Sequence, residues 1–416
     1  MNIFESTESE VRSYCRNYPK IFSRAKMSTL YTEDGEAYID FFDGAGALNY
    51  GHNNDYIKER VLRYLSEDRI LHALDMYTEA KRDFLTVFKE KILEPRGLHY
   101  KVMCCGPTGT NAVEAALKLA RKVKGRQNVI AFVGSFHGMT AGSLAVSSGL
   151  EMRAGAGQVL PNVTFMPYPY KNITFDTIDY LEMMLADDHS GIDKPAAVIV
   201  ETVQAEGGIV VAPAEWLQRL RDVCDRYDML LICDDIQVGC GRCGTFFSFE
   251  RAGIVPDMVT LSKSISGYGF PMALMLAKPE LDIWHPAEHN GTFRGFQLAF
   301  VGAKAAIEYR EEHNLDKKVQ EDGAYVENFV RTRLLPLHKD LLYRGIGLIH
   351  GIDFEAVPIP EAAKKTAKAA FERGLVIERS GRGDHVLKIM PALTISREEL
   401  TRGLEIIEAA MREVLC

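Results

Sequence analysis

The sequence predicts an α/β fold: a mostly parallel central sheet with helices on both faces, plus a smaller α+β domain. Three observations predict it. Between about residues 100 and 280, short apolar runs of strand length alternate with amphipathic runs of helix length. Several of those runs, such as AAVIV and MLLIC, are apolar throughout, as strands covered on both faces are. After residue 340, two strand-like runs (LIHGIDF, VLKIM) stand among two helical ones (EAAKKTAKAAFERG, REELTRGLEIIEAAMREVL).

The elements follow in order. Residues 1–50 read as a short helix and then a hairpin, with alternating apolar residues around the turn Glu33-Asp34-Gly35. Residues 54–94 carry helical spacing and stop before Pro95. KVMCC is a strand, followed by a helix from about Asn111 to Gly125, then the strand NVIAFVG. AAVIVETV, MLLICDD and DMVTLSK are further strands, and PAEWLQRLRDVCDRYD is the helix before MLLICDD. Residues 296–335 form one or two long helices. The expected division is an N-terminal segment (1–53) joining the small domain, a large domain (54–305) and a C-terminal small domain (306–416).

Composition narrows the function. The chain has 416 residues and a formal net charge of -8, without a Lys/Arg cluster. That argues against nucleic acid or an anionic membrane as partner. No apolar run approaches the roughly 20 residues that span a bilayer. The polar N-terminus is no signal peptide, and the scattered cysteines fit a reduced, cytoplasmic protein.

Ligands of open α/β sheets sit at the carboxyl ends of strands. Three such ends carry suggestive residues. Gly106-Pro107-Thr108-Gly109-Thr110 leads into a helix, whose free N–H groups and positive end suit a phosphate. Gly109 allows close approach, and Thr108 or Thr110 can add a hydroxyl. Asp234 and Asp235 follow a fully apolar strand, and one of them would face the crevice. Lys263 ends another strand, where partial desolvation would favour imine chemistry. Each alone also fits a plain helix cap, an ion pair or a surface lysine; their coincidence at successive strand ends points to a site.

Three other matches are chance by their context. Gly239 to Gly244 fits GxGxxG, but does not directly follow a strand or open a helix. Cys240 and Cys243 form CxxC without a second metal pair. His285-Pro286-Ala287-Glu288-His289 fits HxxEH, but Asn290-Gly291 ends any helix there.

The run Asp234-Asp235-Ile236-Gln237-Val238-Gly239-Cys240-Gly241-Arg242-Cys243-Gly244, then Pro256-Asp257, then Lys263, resembles class III aminotransferases dependent on pyridoxal 5'-phosphate. The resemblance covers essentially the whole chain and implies the type I fold of such enzymes. It implies that Lys263 is the Schiff-base lysine and proton shuttle, and that Asp234 pairs with the pyridine nitrogen. Ile236 and Phe136 would pack on the two ring faces, with His137 beside Phe136 and Gln237 near the phenolic oxygen. Gly109 and Thr110 would hold the phosphate. Thr292 would reach the phosphate of a neighbouring subunit, so the resemblance implies a homo-oligomer, a dimer at least, with shared active sites.

The runs SYCRNYP, FFDGAGALNYGHNN, SFHGMTAGSLA and HNGTFRGFQLAFVGA narrow the resemblance to members that move the amino group of L-glutamate to the aldehyde of L-aspartate 4-semialdehyde. Glu206, Lys388 and Tyr50 are the expected substrate contacts. Two departures bear on them. Many relatives carry Arg where Met139 stands, and a carboxylate-binding Arg where Lys388 stands. The expectation is a switch in which Glu206 pairs with Lys388 and releases it for glutamate. Lysine would bind that carboxylate as a point charge, not as a bidentate fork. The alternatives are another class III ω-aminotransferase (ornithine-, GABA- or acetylornithine-type), an aminomutase or racemase, or a binding protein without turnover.

Overall fold

The structure is a computed structural model that describes residues 2–170 and 173–415. Its centre is a seven-stranded sheet. In chain order the strands are β1 (Lys101–Cys104), β2 (Val129–Phe132), β3 (Val163–Met166), β4 (Ala197–Val200), β5 (Leu230–Asp234), β6 (Met258–Leu261) and β7 (Leu274–Ala277). Their spatial order is β1-β7-β6-β5-β4-β2-β3. The pairs from β3 to β6 are parallel, whereas β7 runs antiparallel to both β6 and β1. The five inner strands β7, β6, β5, β4 and β2 are buried at every position. Hydrophobic clusters cover both faces, one around Phe84, Phe132, Trp216 and Phe247, the other around Val113, Leu117, Ile199 and Ile232.

Two strands differ from the expectation. The runs forming β3 and β7 are not among the expected strands, although VTFM, the body of β3, carries β-branched and aromatic residues that favour a strand. LMLA, the body of β7, lacks β-branched residues, so its four apolar residues fit a helix as well as a strand. Residues 54–94 also differ. Helices run Asp55–Ser66 and Glu79–Val87, and residues 67–78 between them are not helical. Ile70, Leu71, Leu74, Met76 and Tyr77 prolong the helical spacing there, yet all five are exposed.

The N-terminal hairpin forms as the turn residues predict, with Thr29–Thr32 antiparallel to Ala37–Asp40. Phe22–Lys26 adds a strand on one side, and Leu375–Val376 joins in parallel on the other, so both chain ends share one sheet. Residues 296–335 form two helices, Gln297–Glu312 and Leu315–Phe329. A second antiparallel sheet has the order Leu342–Ile346, Ile349–Asp353, Val386–Ile389, Glu378–Ser380. Helices Ala362–Phe371 and Arg397–Leu415 pack with it around a core of Leu387, Ile389, Leu404 and Ile407. Among the described residues no helix is long and apolar enough to cross a membrane.

Candidate active site

The carboxyl ends of β4, β5 and β6 open into a cavity of about 160 Å³. Nine expected residues line it: Gly109, Thr110, Phe136, His137, Glu206, Asp234, Ile236, Gln237 and Lys263. Because side chains alternate along a strand, the two aspartates at the end of β5 part company. Asp234 faces the cavity. Its Oδ2 lies 2.7 Å from His137 Nδ1, and its Oδ1 accepts from Thr260 Oγ1 and Ile236 N, each at 3.1 Å. Asp235 points away and accepts from the Ser248 backbone N–H at 2.8 Å and from its hydroxyl. Burial pushes Asp235 up to about 7, against the pull of those donors.

Lys263 follows β6 with φ +52°, a left-handed conformation that costs a non-glycine residue energy and clusters at functional positions. Its Nζ donates to Ala45 O at 2.9 Å, and Gln237 Nε2 donates to the same oxygen at 2.8 Å. Ala45 lies in a run of four left-handed residues, Asp43 to Gly46. Fully buried Arg242 holds that run through Asp43 Oδ2 at 2.5 Å and Asn49 Oδ1 at 2.6 Å. Burial pushes the Lys263 amine below the usual lysine range, against the attraction of Glu206.

Also lining the cavity, Glu206 accepts at Oε1 from Lys388 Nζ at 2.8 Å. Burial alone would raise Glu206, but the charges of Lys388 and Lys263 outweigh it and bring it down to about 2. Burial alone would depress Lys388, yet Glu206 and Glu378 hold it above the usual lysine range. Met139 sits outside this pair, exposed at the surface.

Three expected residues do not line the cavity: Lys388, which meets it through Glu206, and Tyr50 and Thr292, which lie elsewhere. Tyr50 is 2% exposed in the apolar cluster of the C-terminal layer, its ring 6.2 Å from that of Tyr309; it does not line the cavity. Its ring packs among the apolar side chains of that cluster. Thr292 lies on a loop against Cys105, Gly106 and Asn111, outside the cavity that holds Lys263. The decoy motifs are also explained. The side chain of Arg310 occupies the space a Cβ on Gly241 would need, so this glycine admits an arginine. Glu288 pairs with Lys122 and accepts from His285 N, and no helix spans 285–289.

Three participants escaped the sequence reading. Glu201, at the end of β4, lines the cavity and accepts from Phe136 N at 3.1 Å. Burial, then the charge of Asp234, holds it well above the usual carboxylate range. A carboxylate directly after a buried strand is a readable signal, the same one that marks Asp234. The Ala45 carbonyl gives no signal, because a backbone oxygen has no residue type. Glu378, 2.6 Å from Lys388 Nζ, is brought there only by strand register.

The donor set fits pyridoxal phosphate. Lys263 offers an amine with its charge disfavoured, and Asp234 a buried carboxylate. His137 Nε2 and Gln237 Oε1 are buried without a hydrogen-bond partner. A Cβ on Gly109 would fall 2.9 Å from Ile236 Cδ1, so the glycine keeps the cradle open at the head of helix Gly109–Lys124.

Fold and site together define a pyridoxal-phosphate-dependent transaminase. The chain belongs to the class III aminotransferases, whose family pattern it matches over residues 13–411. A Bordetella parapertussis protein named diaminobutyrate–2-oxoglutarate transaminase is 54% identical over 418 residues, covering 100% of this chain and 96% of its own length. Proteins of the same name from Streptomyces coelicolor (54%, 99% and 98% covered) and Halalkalibacterium halodurans (51%, 100% and 97% covered) are similar over comparable spans. Among solved structures, the ornithine aminotransferase of Toxoplasma gondii superposes with a TM-score of 0.85 at 24% identity, covering 99% of this chain and 94% of its own. An S-selective transaminase from Arthrobacter sp. gives 0.87 at 20%, covering 99% and 96%. At those identities the likeness speaks for the fold alone.

Proposed function

We propose that the enzyme moves the amino group of L-glutamate to the aldehyde of L-aspartate 4-semialdehyde, giving L-2,4-diaminobutyrate and 2-oxoglutarate, as in ectoine biosynthesis. The names of relatives 50–54% identical over nearly the whole of both chains support this choice of substrates. The observation that carries the two-substrate reading is the Glu206–Lys388 pair at 2.8 Å on the edge of the Lys263 cavity. Only an enzyme that must take in turn a substrate with a carboxylate at that point and one without needs a cation with a releasable partner.

When bound, pyridoxal phosphate supplies an aldehyde to accept the amine and a ring that withdraws electrons from the reacting carbon. The chain's own residues do the rest. Lys263, with its charge disfavoured by burial, takes up the proton from the donor α-carbon at Nζ and returns it. Asp234, oriented by His137 and Thr260, would hold the ring nitrogen protonated. Ile236 and Phe136 would pack on the ring, Gln237 would meet its phenolic oxygen, and Gly109 and Thr110 would hold the phosphate. Thr292 serves the phosphate of a neighbouring subunit, in a dimer at least. The division at residues 53 and 305 belongs to the same reading. So does a cytoplasmic setting, supported by seven free cysteines among the described residues.

The test is a panel with glutamate as donor and aldehydes of increasing length as acceptors. Aspartate semialdehyde is expected to give the highest kcat/KM. Preference for a longer aldehyde such as glutamate semialdehyde would move the assignment to the ornithine type. Borohydride reduction and peptide mapping should find the pyridoxyl group on Lys263; its absence there would sink the mechanism.

A further inference from the structure

The ammonium of Lys388 serves two carboxylates, and they are held very differently. Glu378 and Lys388 are directly opposite one another on antiparallel strands Glu378–Ser380 and Val386–Ile389. Cross-strand partners share a face of the sheet, so register fixes their separation. The contact is 2.6 Å. Glu206 instead stands in the turn joining the two-residue strands Val203–Gln204 and Val210–Val211, just before Gly207 and Gly208. The Glu206 side chain is 31% exposed and lines the cavity; that of Glu378 is 11% exposed and does not. Tyr14 of the N-terminal segment lies over the pair. Its hydroxyl is pushed up to about 12 by burial and then by the negative charges of Glu378 and Glu206.

The Lys388 side chain is wholly buried. Were Glu206 its only partner, each departure of Glu206 would leave an unpaired buried charge, a costly state. We propose that Glu378 is the fixed counter-ion of Lys388, a positioning residue that keeps the ammonium paired while Glu206 yields its place to a substrate carboxylate. The exchange then replaces one carboxylate by another beside a cation that is never bare. To first order Glu378 meets the same charge before and after the exchange. It therefore governs the rate of exchange more than its equilibrium. This also accounts for lysine at this position: a compact ammonium with three donors can serve several carboxylates from different directions.

The inference rests on glutamate being the amino donor. The experiment uses the holoenzyme and glutarate, a dicarboxylate with no amino group to react, followed in a stopped-flow instrument by the absorbance of the bound cofactor. Glu378→Gln is expected to slow association about tenfold or more, with dissociation slowed nearly in step, so that Kd moves less than about threefold. Glu378→Asp, which keeps the charge but shortens its reach, is expected to slow both rates less. It also supplies the readout if the Gln variant does not fold. An unchanged association rate in the variant measured, or weakened binding through faster dissociation, overturns the proposal. Failure of the wild-type enzyme to release 2-oxoglutarate from glutamate would instead overturn the assigned donor.

Discussion

A Cβ placed on Gly109 would meet Ile236 Cδ1 at 2.9 Å and Cγ2 at 3.0 Å, closer than side chains pack. Gly109 does not need a left-handed backbone, so alanine is conformationally admissible and the strain falls on Ile236. That side chain would move toward the space of the cofactor ring. Overpacking of this kind costs about 1–3 kcal/mol, so Gly109→Ala should weaken cofactor binding roughly tenfold. Titration of the apoprotein with pyridoxal phosphate checks this, and an unaltered Kd would show that Gly109 does not shape the cradle. Lys388→Ala is the companion test at the substrate end. It removes the cation that Glu206 yields to glutamate and leaves Glu206 and Glu378 to repel the incoming carboxylate. The KM for glutamate should rise about tenfold or more, the scale of one lost charge-assisted contact. An unchanged KM for glutamate in steady-state kinetics removes Lys388 from the binding reading.

Strand Ile349–Asp353 carries a titratable group whose sign can be worked out. His350 is buried, with Nδ1 2.8 Å from the Tyr343 hydroxyl. Burial lowers it to about 3. The unfolded chain protonates this histidine near pH 6.5, about the unperturbed value, whereas the folded chain does not until about pH 3. Between those limits the unfolded state binds more protons, so stability falls as pH falls, by at most about 1.4 kcal/mol per unit from this group. In His350→Phe that contribution vanishes, and unfolding by urea at pH 7, 6 and 5 should show a shallower decline than wild type. Parallel declines would mean that the ring is not held neutral. Elements also mark how far the sequence could be read. Lys263 and Asp234 were legible because each ends an apolar strand, and strand ends are local features. Glu378 was not, because its meeting with Lys388 exists only in the register of two strands. β7 was illegible because LMLA suits helix and strand alike. The break at residues 67–78 was hidden by five apolar residues that continue a helical period while facing outward.

Those five residues belong to a larger question, the surface they occupy. Leu74 and Tyr77 border the same groove as Arg294, next to the loop of Thr292 and exposed Phe293. A contiguous exposed apolar stretch of this kind marks a contact surface more often than plain solvent exposure does. Thr292 lies outside its own chain's Lys263 cavity, so the proposed phosphate contact requires that a second subunit bring it. Complementation decides this. Lys263→Ala subunits lack the imine lysine in their own cavity but carry an intact Thr292. Thr292→Ala subunits have the reverse. In a two-fold dimer, each mixed pair contains one site with Lys263 and a partner's Thr292, and one site lacking both. Equal, random mixing makes half the dimers mixed, so about a quarter of all sites should be complete. At limiting pyridoxal phosphate, where the loss of Thr292 lowers occupancy, refolding the two variants together should restore activity toward that fraction. If Thr292 serves its own chain, no site in the mixture combines both residues. The mixture would then show only the average of the two variants, and the shared site would be excluded.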